Sequence, residues 1–122
     1  MYMTGWKRRW ARLANRDKVL SLIGLAMKAG RCTSGEMMTE NETKAGNAKL
    51  VVVASDASEN TKKKFRDMCK FYRVPICFYG DKDTLGHAMG KEFRASLAIL
   101  DEGFADGILK ELKNREDIAY RR

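Results

Sequence analysis

Leu50-Val51-Val52-Val53-Ala54, running through Ser55-Asp56-Ala57-Ser58-Glu59-Asn60 into Lys62-Lys63-Lys64, is the stretch that decides the fold. A short, almost unbroken β-branched run fits a strand covered on both faces. The Asp/Ser/Asn cluster behind it offers side-chain acceptors to the free amides of a helix start. The helix that follows carries ammonium groups beside the carboxyl end of that strand. Ligands of open α/β sheets bind outside the carboxyl ends of the strands, so this placement points to an anionic partner.

The same reading extends in both directions. Toward the amino end, Val19, Leu20, Ile23, Ala26 and Met27 keep the spacing of a helix beginning near Arg16, and Gly30 stops it. A very short strand is expected around Arg31 to Ser34. From Gly35 to about Gly46 the spacing predicts a second helix, with only Met37, Met38 and Ala45 available to pack. Such a polar helix has most of its surface outside the core. Toward the carboxyl end, Phe65, Met68, Cys69 and Tyr72 form one stripe of a helix over residues 58–72. Pro75 ends it before a strand at Ile76-Cys77-Phe78-Tyr79. A short helix from Asp83 to Met89, a strand at Ser96 to Leu100 and a last helix from Glu102 to about Leu112 complete the domain. Strands alternating with helices imply helical layers on a central sheet. The expected fold class is therefore α/β, a three-layer α/β/α sandwich around a four-stranded mixed, largely parallel sheet.

Three segments follow from composition. Residues 1–15 form a basic arm in which Trp6 and Trp10 bracket Lys7-Arg8-Arg9. Indoles among cations stack on bases or lie along a charged surface, or they pack on the domain. Residues 16–112 are the domain, and residues 113–122 are a charged tail expected to fray. A chain of 122 residues with 44% hydrophobic content builds one core without a metal or disulfide framework. Its net charge of +8 makes a polyanion, above all RNA or DNA, the natural partner. Cys32, Cys69 and Cys77 are an odd number without C-x-x-C spacing, which argues against a disulfide framework and matches no zinc pattern. No apolar stretch approaches the roughly 20 residues needed to cross a bilayer, and no signal-peptide core is visible. The expectation is a cytoplasmic, monomeric protein that uses no metal or other cofactor.

Catalytic chemistry finds little support. His87 is the only histidine and reads as a helix-surface or partly packed residue, since a triad needs a third orienting group. Gly86-x-x-x-Gly90-Lys91 is one residue short of a phosphate loop, and Glu92 stands where the magnesium-binding hydroxyl belongs. Helix punctuation is the expected role of both glycines. Asp81, Asp83, Asp101 and Glu102 lie at element boundaries, where capping accounts for them. What remains is a surface: the Gly35 helix with Glu36, Met37, Asn41 and Lys44, preceded by Lys28 and Arg31. Met37, Asn41 and Lys44 share one face by spacing. Free amides at the helix start suit phosphate, and RNA with splayed bases suits side-chain readout better than a plain duplex.

Several motifs in one order resemble a known family. They are Leu22-Ile23-Gly24-Leu25-Ala26-Met27-Lys28-Ala29-Gly30, Ser34-Gly35-Glu36, the run from Ala48 to Ser58, Val74-Pro75-Ile76, Leu85 to Gly90, and Ala95 to Ile99. The sequence is similar, over about Lys18 to Leu109, to the seven-Ae and thirty-e family of large-subunit ribosomal proteins, in its bacterial YlxQ-like branch. That family binds kink-turn RNA on an α/β/α sandwich. The resemblance implies an RNA site at Gly35 and Glu36, at Ser58 facing a flipped-out nucleotide, and at Lys91, Phe93, Arg94 and Ala95 in a second contact loop. It also implies association with ribosomal or other structured RNA. The family's Gly-x-Asn-Glu-x-x-Lys is altered here: Met37 and Met38 replace Asn and Glu, and Asn41 replaces Lys. Losing two base contacts costs on the order of 2 to 6 kcal/mol at about 1 to 3 kcal/mol each.

Overall fold

The computed structural model describes residues 17–113 together with the backbone of residues 118–120. The Trp6 to Arg12 arm lies outside the described residues. Helix α1 (Lys18–Lys28) starts at Asp17, whose carboxylate accepts the Leu20 N–H at 3.1 Å and the Tyr79 hydroxyl. Its stripe of Val19, Leu20, Ile23 and Ala26 is buried as the spacing predicts. Gly30, at φ +72°, turns the chain out of the helix into strand β1 (Cys32–Ser34). Then follow α2 (Glu36–Lys44), β2 (Leu50–Val53), α3 (Glu59–Tyr72), β3 (Ile76–Phe78), α4 (Lys82–Ala88), β4 (Ser96–Ile99), α5 (Glu102–Lys113) and β5 (Ile118–Tyr120).

Two cores sandwich the sheet. Leu50, Val52, Leu97, Ile99 and Cys77 face α1, α4 and α5, where Ile23, Leu85, Ile108 and Leu112 are fully buried. Val51, Val53, Ala98 and Ile76 point the other way, onto Phe65 and Cys69 of α3. The period-two alternation of an extended chain thus divides one apolar run between two layers. All four residues of β2 are buried, as a strand covered on both sides requires.

The three-layer sandwich is the expected one, but the sheet is not largely parallel. Its order is β1-β4-β2-β3-β5, and only β2 with β3 pair in parallel. The cause is the path of the chain after α4. Helices α2 and α3 carry the chain back along the sheet, so β1, β2 and β3 run in one direction. After the seven-residue α4 the loop from Met89 to Ala95 doubles back, and the Arg94 N–H donates to the carbonyl of Lys82, the first residue of α4, so the chain returns to the edge it left. Strand β4 therefore enters from that edge, wedged antiparallel between β1 and β2. A fifth strand is also present. Ile118–Tyr120, in the segment expected to fray, pairs antiparallel with β3.

Candidate nucleic-acid interface

Strands β1, β2 and β3 all end, and β4 begins, at one rim of the sheet. Backbone hydrogen bonds there tie together segments distant in sequence. The Gly35 N–H donates to Ser96 O at 3.0 Å, and the Ala54 N–H donates to Ala95 O at 2.8 Å. The Arg94 N–H donates to Lys82 O at 3.1 Å, and the Lys82 N–H donates to Asp56 Oδ1 at 3.0 Å. Arg94 reaches back to β1, with Nε donating to Ser34 Oγ at 3.3 Å, and braces its own loop through Phe93 O at 2.8 Å. The start of α2, the turn from Ala54 to Ser58 and the loop from Lys91 to Ala95 are thus one continuous edge.

Gly35 caps α2 with φ +94° and ψ 156° and, having no side chain, makes no cap hydrogen bond. That φ is accessible to glycine and strained for other residues. The first-turn amides, which every helix leaves without an intrahelical acceptor, therefore open onto the rim. Around them Met37 is 73% exposed, Met38 46% and Phe93 67%. Ser58 sits at the start of α3, but its hydroxyl is engaged. It accepts the Thr61 N–H at 3.1 Å and donates to Thr61 Oγ1 at 3.0 Å.

The loop is held by an unusually close approach. A Cβ added to Gly86 would stand 1.5 Å from Glu92 O. Gly86 lies inside α4, so its role is contact with the loop and not the helix punctuation expected from the sequence. Gly90, at φ +71°, does punctuate. Asp81 forms a full capping box with Thr84, and Asp101 accepts the Phe104 N–H at 3.0 Å, in line with the capping roles assigned to them.

Not every expected residue reaches this rim. Lys28 ends α1 and Arg31 precedes β1, so both lie at the opposite end of the sheet, where the Leu100 N–H donates to Arg31 O. Lys44 is exposed like Met37 and Asn41, yet it is eight residues beyond Glu36, about 12 Å along α2. It donates to Glu40 Oε2 at 2.8 Å. Lys64 of α3 reaches Glu36 at 2.9 Å and Glu40 at 2.7 Å. Hydrogen bonds from Lys44 and then Lys64 lower the Glu40 carboxyl from 4.5 to about 2, and the same contacts raise both lysines.

Sequence reading missed what lies beneath α2. The expected packing residues Met37 and Met38 are exposed, while Thr39 and Thr43 are completely buried. Their i, i+4 spacing on the face away from Met37 was the available signal. The thiols behave as core groups. Burial pushes Cys32 and Cys69 to about 12, Cys77 is buried as well, and a thiol held in that state is a poor nucleophile. Among the described residues no group of His, Cys, Asp and Glu could hold a metal, and no helix is long and apolar enough to cross a membrane.

Comparison with known proteins matches residues 17–109 to the Ribosomal protein L7Ae/L30e/S12e/Gadd45 family. RNA-binding protein YlxQ of Bacillus subtilis (strain 168) is 41% identical over 91 residues, 75% of this chain and 91% of that protein. RNA-binding protein YlxQ of Enterococcus faecium is 44% identical over 91 residues, 75% of this chain and 87% of that one. A solved structure of a protein with unknown function from Bacillus halodurans superposes with a TM-score of 0.76 at 35% identity, covering 79% of this chain and 97% of its own. The Giardia lamblia 15.5kD RNA binding protein shares the fold at a TM-score of 0.67 and 19% identity, over 80% and 88% of the two chains. With its fold, its motif order and these matches in agreement, the chain belongs to the L7Ae/L30e family, in the bacterial YlxQ-like branch.

Proposed function

We propose that this protein is a non-enzymatic, cytoplasmic RNA-binding protein that works as a monomer on ribosomal or other structured RNA. The observation that carries the reading is the convergence of three segments on one rim: the uncapped start of α2, the turn leading to Ser58 and the braced Lys91 to Ala95 loop. Free amides at Glu36, Met37 and Met38 donate to phosphate or base acceptors. Phe93 offers a face for an extruded base, and Lys91 and Lys82 supply cations to the backbone. Met37 and Met38 cover bases without reading their edges. A kinked internal loop is then recognised by its shape and its splayed nucleotide more than by base identity.

The test is fluorescence anisotropy on a hairpin with a kinked internal loop, titrated against salt. If about four to six phosphates are neutralised, log affinity falls against log salt with a slope of roughly −3 to −5. Arg94→Ala, which frees the loop from Ser34, weakens binding about tenfold. Gly86→Ala, which forces Glu92 away, weakens it as well, and Lys44→Ala at the far end of α2 leaves it within about twofold. Binding unaffected by Arg94→Ala, or no binding by the wild type, defeats the reading. The exposed methionines favour one alternative, a protein partner docked on the same rim, since Met suits adaptable apolar contacts. A partner retained after ribonuclease treatment would select it.

A further inference from the structure

The positive charge of the domain is not where the rim alone would put it. Residues 17–113 hold sixteen Lys and Arg against fourteen Asp and Glu, a net charge of only +2. The segment from Glu59 to Arg73 holds six of those cations (Lys62, Lys63, Lys64, Arg66, Lys70, Arg73) and two acids, a net +4. The rest of the described domain is therefore net −2, and α3 is its one strongly cationic element.

On that helix Phe65 and Cys69 face the core, while Lys63, Arg66, Lys70 and Arg73 are exposed and succeed one another at intervals of three, four and three residues. That spacing makes a continuous ridge, about 15 Å from Lys63 to Arg73. Its existing partners hold it weakly. Lys63 meets Asp67 at 2.9 Å with both side chains more than 60% exposed, and such a pair contributes little in water. Arg66 lies over the Phe78 ring at 5.3 Å.

At the same end of the helix as Lys70 and Arg73 stands an aromatic pair, Phe71 turned outward and Tyr72 on the inward stripe. Phe71 is 78% exposed, the most exposed large apolar side chain among the described residues, and meets Tyr72 edge to face at 4.9 Å. Burial in the core does not explain a phenylalanine so open to water. Cations in a row beside exposed rings are the surface that single-stranded nucleic acid uses, phosphates on the charges and bases on the rings. The other end of the helix is Ser58, already in the rim. Beyond this end of the helix lies a cleft of about 290 Å³ whose charged lining is mixed, Lys49 and Arg73 with Glu102 and Asp106.

We propose that the outward side of α3, from Lys63 to Phe71, is a second RNA contact, taking an unpaired strand that leaves the folded element held at the rim. This rests on the rim binding structured RNA. It adds that a flanking single strand contributes affinity through stacking at the far end of the helix, about 20 Å from Ser58.

The test compares one kinked-loop hairpin with and without a five-nucleotide uridine extension, against wild type, Phe71→Ala and Lys70→Glu. These exposed positions are outside both cores, and circular dichroism checks that each variant is folded. The extension tightens binding to the wild type about five- to tenfold. Phe71→Ala removes that gain while its affinity for the plain hairpin stays at the wild-type value, and Lys70→Glu does the same. An extension that adds nothing to the wild type, or a gain that survives both substitutions, overturns the second contact while leaving the rim reading intact. A plain hairpin that does not bind at all overturns the rim reading, and this proposal with it.

Discussion

Helices α1 and α2 lie on opposite faces of the same sheet, flank the same short strand β1, and are anchored by different physics. Helix α1 is capped by Asp17 and buries Val19, Ile23 and Ala26 completely. Helix α2 has no side-chain cap and buries only two threonines. Beneath it Thr39 Oγ1, Thr33 Oγ1 and Ser96 Oγ are buried without a hydrogen-bond partner among the described residues, while Thr43 Oγ1 donates to Thr39 O at 2.8 Å. Hydroxyls left unpaired in an interior cost free energy, so the seam under α2 holds weakly. Ion pairs from Lys64 to Glu36 and Glu40 supply part of what apolar packing does not. The helix that builds the core is the one the apolar pattern marks. The helix that builds the rim carries its informative residues on the outside and rests on a polar seam.

This contrast can be broken at three points. Ile23→Ala opens a cavity in the α1 core and costs about 2 to 5 kcal/mol in urea unfolding. A loss below 1 kcal/mol would mean that α1 is no firmer than α2. Thr39→Val replaces an unpaired buried hydroxyl by a methyl of the same size and raises stability by about 1 kcal/mol. A loss instead would reveal a partner for that hydroxyl and a tighter seam than the structure shows. Acid should loosen α2 before α1. Because the Glu40 carboxyl is lowered from 4.5 to about 2, its favourable contribution is complete above 4.5 and fades as the pH falls toward 2. Carboxyl resonances followed by NMR should give a Glu40 midpoint near 2, moving together with α2 amides while those of α1 stay fixed. A midpoint near 4.5 would separate Glu40 from both lysines.

Much of the fold was legible because its signals are local. The Leu50 to Ala54 run, the α1 stripe, the Ser58 and Asp81 caps and the break at Pro75 each depend on neighbours within one or two turns. The rim was legible in part. Gly35, Ser58, Phe93 and Arg94 belong to loops and helix starts at the carboxyl ends of strands, or at the entry to β4, and these meet. Lys28, Arg31 and Lys44 are near the same motifs in sequence but at the other end of their elements, and proximity along the chain does not carry across a helix or strand. The outward side of α3 was legible only at its start, where Lys62-Lys63-Lys64 pointed to an anionic partner; its continuation through Arg66, Lys70 and Arg73 stood out only once the charge of the remaining domain was set beside it.

By itself the sequence determined the strands and helices from α1 to α5 but not β5, which faces of most of them are apolar, and that the chain as a whole is cationic. These follow from the two backbone periods and from side-chain chemistry, both readable in short windows. The tertiary structure alone decided that β4 runs between β1 and β2 against both, that Thr39 and Thr43 and not the methionines lie under α2, and that Gly86 must admit the Glu92 carbonyl. Each of these depends on which backbone arrives beside it, and that is settled by contacts between residues far apart in the chain.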